Sequence, residues 1–199
     1  MNRQTLNQVV ERVKMLVFRP RAAWETIRDE EHSRKDLMYY LAMLAVVPAA
    51  ASFLGMWLVG YWISVKPIFR LSFGRSLSYA LIGYGLTVCG VWLIGKAIGF
   101  LAPRFGAETD ELKALKLAVF SATPYLAAGI LNLFPPLGTV IFIAGFYSLY
   151  LIYLGLPIVM DVPKERSFSL TVTILISVIC IYLVIGWITS LILMPVLVI

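Results

Sequence analysis

Apolar residues dominate five long stretches of the chain, and the polar positions gather in short clusters between them. The stretches run from about Leu37 to Ile63, Leu77 to Leu101, Ala114 to Phe134, Leu137 to Met160 and Leu170 to Ile199. Each is long enough to cross a hydrocarbon layer of about 30 Å, which takes a helix of about 20 residues. All five are predicted as transmembrane helices, the last with length to spare for tilt or for an irregular tail after Pro195. Ahead of them the pattern changes period. Leu6, Val9, Val10, Val13, Leu16 and Val17 recur at helical spacing, with Arg3, Glu11, Arg12 and Lys14 between them, which predicts an amphipathic helix. Proline disfavours helix at the residue before it, so Arg19-Pro20 ends this helix and Pro20 opens a second, "RAAWETIRDE". Its apolar side is Ala23, Trp24 and Ile27. The pair is expected to lie on the cytosolic membrane surface through Arg12, Lys14, Arg19 and Trp24, or else to pack against the bundle's own loops. The expected fold is all-α and polytopic, with an amphipathic cytosolic segment over 1–36 and a five-helix membrane domain over 37–199.

Composition agrees, since 60% of the 199 residues are hydrophobic and 14% are charged. Charge then sets orientation. Eight basic residues precede the first span, Arg104, Lys113 and Lys116 follow the second, and Lys164 and Arg166 follow the fourth. Only Lys66, Arg70 and Arg75 stand on the other side, so the amino terminus is expected in the cytosol and the carboxyl terminus outside. This placement explains the net charge of +6 by membrane retention and anionic lipid, and nucleic acid is not expected as a partner. The interleaved charges of "MNRQTLNQVVERVKML" do not resemble a cleavable signal peptide. Cys89 and Cys180 lie in apolar runs without CxxC spacing, which indicates neither a disulfide framework nor a zinc site.

In "SATPYLAAGILNLFPPLGTVIF" a helix counted from Ala114 reaches the far interface near Phe134, where Pro135, Pro136 and Gly138 predict a turn between spans three and four. This stretch, with "AGFYSLYLIYLGLPIVMDVPKERS" and the earlier "RPRAAWETI", resembles bacterial members of the Yip (Ypt-interacting protein) family of multi-spanning membrane proteins. The resemblance covers nearly the whole chain and is most specific from Ser121 to Lys164. It implies the bacterial inner-membrane branch and no particular chemistry. The association of eukaryotic members with Rab-type GTPases is not carried over, because shared fold does not carry function.

Few residues are placed to carry chemistry. "GVWLIGKA" matches part of a phosphate-binding loop, but Ala97 follows the lysine and the context is a membrane helix, so helix packing through Gly83, Gly90, Gly95 and Gly99 is the better account. Lys96 is the one clearly intramembrane basic residue, and no Asp or Glu within the spans neutralises it. It either extends to the cytosolic interface or faces the bundle to meet an anionic lipid or solute. Pro48, Pro124, Pro157 and Pro195 each remove a helical hydrogen bond. Around Pro124 the freed Phe120 carbonyl has Ser121, Thr123 and Tyr125 nearby; these form a repaired kink or, with Tyr150 and Tyr153 facing them, a polar cavity. His32 in "RDEEHS" reads as a solvated surface residue. No catalytic constellation, metal site or cofactor site is recognisable. The expected function is a scaffold that organises lipid, other membrane proteins or copies of itself, with a channel or transporter as the alternative.

Overall fold

The computed structural model describes residues 3–63, 66–107, 109–134 and 137–198, with side chains described for 9–60, 70–107, 109–134 and 137–187. Two short helices, α1 (Arg3–Phe18) and α2 (Pro20–Asp29), precede the membrane domain. Five helical segments, Arg34–Val59, Phe73–Phe105, Glu111–Leu133, Gly138–Val159 and one starting at Lys164, are long and apolar enough to cross a membrane. They correspond one to one with the stretches read from hydropathy.

Side-chain chemistry sets several boundaries. α3 (Arg34–Leu54) starts three residues earlier than hydropathy indicated, because Ser33 and Asp36 form a reciprocal capping box over its first turn. It continues as a π-helical segment, Gly55–Val59, and stops at Gly60, whose φ of 86° suits glycine. The next residues are not helical. Tyr61–Ile63 (β1) pairs antiparallel with Lys66–Phe69 (β2), so the end of the expected first span belongs to a small hairpin. α4 (Phe73–Leu101) ends in a 3-10 segment, Ala102–Phe105, and α5 (Glu111–Ser121) begins where the Asp110 carboxylate accepts from the Leu112 and Lys113 amides at 2.8 and 2.9 Å.

The third span is broken. α5 ends at Ser121, Ala122 forms a turn, and α6 (Thr123–Ala128) restarts with Pro124 in its first turn, where no intrahelical donor is required of it. A 3-10 stretch, Gly129–Leu133, completes the crossing. The Pro135-Pro136 turn lies outside the described residues. α7 spans Gly138–Val159 with Pro157 inside it, and α8 runs from Lys164 to Val198, so the helix continues past Pro195 where an irregular tail was an alternative.

α5 is the centre of the bundle. Every residue from Ala114 to Ser121 is buried, with α3, α4 and α7 packed around it. α8 is peripheral and exposes Ile176, Ile179, Leu183 and Val184, as expected of a helix facing lipid. Three glycine contacts bring helices close. A Cβ at Gly155 of α7 would collide with Leu117 and with the Trp24 ring, one at Gly129 with Pro48, and one at Gly55 with the Asn132 carbonyl.

Candidate functional site

The amino-terminal hairpin is docked into the bundle, so the surface-lying alternative gives way to packing. Ala23, Trp24 and Ile27, the apolar side of α2, are fully buried, and Trp24 lies against Gly155. Trp24 is therefore a core residue and not a membrane-surface contact. Lys14 and Arg19 remain exposed, with Lys14 paired to Glu11 at 2.8 Å. Tyr147 of α7 donates to the Leu16 and Val17 carbonyls at 3.1 and 2.8 Å, satisfying groups that the end of α1 leaves open. Twelve residues separate Tyr147 from the end of α7, about 18 Å of helix, so the bend between α1 and α2 lies alongside the middle of α7.

Lys116 does the corresponding work for α2. Only 8% exposed, it donates from Nζ to the Ile27 carbonyl at 3.0 Å and the Glu30 carbonyl at 2.7 Å. A cation at a helix C-terminus meets both the open carbonyls and the negative end of the dipole. Sequence reasoning treated Lys116 as one more topogenic charge. No periodicity in α5 signals that its partner lies in a helix far upstream.

Above this tie the side chains converge on Phe120. The Arg12 guanidinium lies 5.4 Å from its ring centroid, His32 meets it edge-on at 5.3 Å, and Tyr40 at 5.0 Å. Arg12 Nη2 is held by Glu30 at 2.8–2.9 Å, while Nη1 is buried without a hydrogen-bond partner. His32 approaches the Glu30 carboxylate at 3.3 Å and is only 16% exposed, so it is part of the junction and not a solvated surface residue. Burial pushes its imidazole below the usual range and outweighs the hydrogen bond to the Glu30 backbone; Lys116 and Arg12 act with burial, the Glu30 charge against it. Among the described residues no group of His, Cys, Asp and Glu is arranged to hold a metal. Between α1 and α3 a cleft of about 160 Å³ is lined by Val9, Tyr39, Met43 and Phe120 on its apolar side and by Arg12, His32 and Asp36 at its polar end. It is amphipathic, as a lipid or an apolar segment with a polar head would require.

The anticipated polar cavity at Pro124 takes another form. Thr123 is fully buried and shares a hydrogen bond of 3.1 Å with Tyr40, a partner on α3. Tyr125 packs against Tyr182 with centroids 6.4 Å apart, and the Ser121 hydroxyl is buried without a partner. Tyr150 and Tyr153 are 46% and 39% exposed, and neither shares a hydrogen bond with Thr123 or Tyr125. The structure does not bring the two groups together.

Lys96 lies at the same end of the bundle as the hairpin, 41% exposed and 2.7 Å from Glu111, which also receives Arg34 at 3.1 Å. The neutralising carboxylate comes from the first turn of α5. The packing glycines are used mostly within the chain. Gly95 and Gly99 face Leu115, Ala118 and Ala114 of α5, Gly90 faces Ile185, and only Gly83 of the four has nothing within 4 Å.

Comparison with known proteins gives the family. The chain is 28% identical over 148 residues to a protein named inner membrane protein YohC in Escherichia coli K12, and equally to its counterpart in Escherichia coli O6:H1; the match covers 71% of this chain and 74% of each relative. No solved structure matches significantly. The Yip1 domain matches residues 13–188, nearly the full length, and the chain belongs to that family.

Proposed function

We propose that this protein is a multi-pass inner-membrane scaffold that binds lipid or another membrane component at the face formed by its amino-terminal hairpin, and that it neither transforms nor conducts a substrate. The observation that carries this reading is the closed centre of the bundle. From Ala114 to Ser121 the central span is buried on every side, so little room remains for a path along it. A cleft of about 160 Å³ opens at the hairpin, between α1 and α3. The relatives' printed name supports the inner membrane as the location. The excess of basic residues around the hairpin supports a cytosolic position for that face.

Reconstitution tests the reading. Purified protein in liposomes is expected to give no protein-dependent flux for a broad panel of ions and small solutes, and to retain phospholipid through detergent exchange in native mass spectrometry. Flux that disappears when the cleft is filled by Met43→Trp would establish the channel or transporter instead.

A further inference from the structure

The cytosol-facing end of α4 carries a repeat that the scaffold reading leaves unused. Trp92, Lys96 and Phe100 recur every four residues along one edge of α4, and Arg104 follows in the 3-10 segment that ends it. Each cation lies by the ring one turn before it. Lys96 Nζ is 5.9 Å from the Trp92 centroid, and the Arg104 guanidinium is 4.3 Å from the Phe100 centroid. The edge faces outward, with Trp92 37% and Phe100 65% exposed. Arg34, at the first turn of α3, joins Lys96 at the Glu111 carboxylate. Among the described residues, three cations therefore stand against the Glu111 carboxylate, and Asp110 is occupied in capping α5.

Aromatic rings with a polar or charged neighbour favour the boundary between acyl chains and headgroups, and cations there attract anionic headgroups. We propose that this edge of α4, with Arg34, is a binding site for the headgroup of an anionic phospholipid. The phosphate is held by Lys96 and Arg34, Trp92 lies one turn deeper against the upper acyl region, and Phe100 with Arg104 flanks the headgroup on its outer side. From Trp92 to Lys96 the edge rises about 6 Å, enough to pass from the upper acyl chain to the phosphate of one lipid. Glu111 holds Lys96 and Arg34 together and leaves the cluster positive. The site rests on the scaffold reading only in taking lipid as the ligand. It is separate from the cleft at α1.

The test uses the full chain in phosphatidylcholine vesicles doped with spin-labelled phosphatidylglycerol or spin-labelled phosphatidylcholine, with selectivity read from the motionally restricted fraction. The wild type is expected to prefer the anionic probe, and Lys96→Gln/Arg104→Gln to lose about fivefold of that preference per cation at low salt. Arg70→Gln/Arg75→Gln, which removes the same charge from the opposite end of the bundle, is expected to leave it unchanged. Equal loss in both double variants, or loss in neither, overturns the site. Sodium chloride should weaken the wild-type preference, and selectivity indifferent to salt overturns it whatever the variants do. Sodium phosphate at matched ionic strength should have no added effect; stronger competition than chloride makes free phosphate the ligand. Failure of the site leaves the flux result standing, so the two readings fail separately.

Discussion

Lys116, Trp24 and His32 explain most of how the hairpin is held, and each acts by a different force. Lys116 supplies charge-assisted hydrogen bonds, of which a buried pair is worth about 1.5–3 kcal/mol each. Lys116→Met keeps the stem and removes the donors, and is expected to speed tryptic cleavage at Arg28, whose side chain is already exposed, by unfolding the end of α2 in detergent while the membrane spans stay protected. Trp24→Ala removes a fully buried indole, a loss of about 3–5 kcal/mol, and should loosen the hairpin further. His32 adds a pH dependence. Its folded imidazole titrates below the usual value of about 6.5, so the unfolded junction takes up the proton more readily. The junction is then fully stable above that value and loses stability as pH falls from it toward the lower folded value. Facing His32 are Glu30 from α2, Arg12 from α1, Lys116 from α5 and Asp36 and Tyr40 from α3. Hairpin proteolysis is expected to rise between pH 7.5 and pH 5.5, and His32→Gln to flatten that rise. A profile identical in the variant would remove His32 from the account.

The elements divide into those that local sequence specifies and those that tertiary contacts decide. All five spans were legible because a membrane imposes length and apolarity on each one separately. The two amphipathic helices were legible too, from their 3.6-residue period. What the apolar side of α2 faces was not, because Ala23, Trp24 and Ile27 would serve equally well against lipid or against protein. The deciding residue is Gly155, more than a hundred positions away, whose missing side chain makes room for the indole. The hairpin after Gly60 was hidden for a similar reason, since Tyr61, Trp62 and Ile63 are as apolar as a helix end. These contacts separate the glycines experimentally. Gly155→Val is expected to lower the melting temperature in detergent by several degrees, whereas Gly83→Val, with open space around its Cβ, should leave it within error. At the candidate site, sequence picked out Arg12, Thr123 and Lys96 but not their partners Glu30, Tyr40 and Glu111. Each partner comes from another element, and spacing along one helix carries no information about it.

For the whole molecule, the arrangement is a central span ringed by others, with the hairpin docked from one end as far as the middle of α7 and α8 on the outside. In the proposed orientation, which rests on the distribution of basic residues, that end faces the cytosol. A carboxyl-terminal alkaline phosphatase fusion is accordingly expected to be active and a carboxyl-terminal green fluorescent protein fusion to be dark. The reverse pattern would turn the molecule over and place the hairpin outside.

The tie between Lys116 and α2 also has a consequence for synthesis. The hairpin leaves the ribosome well before its partners, which are Lys116, 86 residues after Glu30, and Tyr147, 131 residues after Leu16. Until the third and fourth spans have been inserted, Trp24 has no Gly155 to pack against and the end of α2 has no cation. During that interval the apolar side of the pair has no docking site within the chain. Formation of the two helices needs only local sequence, but their docking waits for the second half of the molecule.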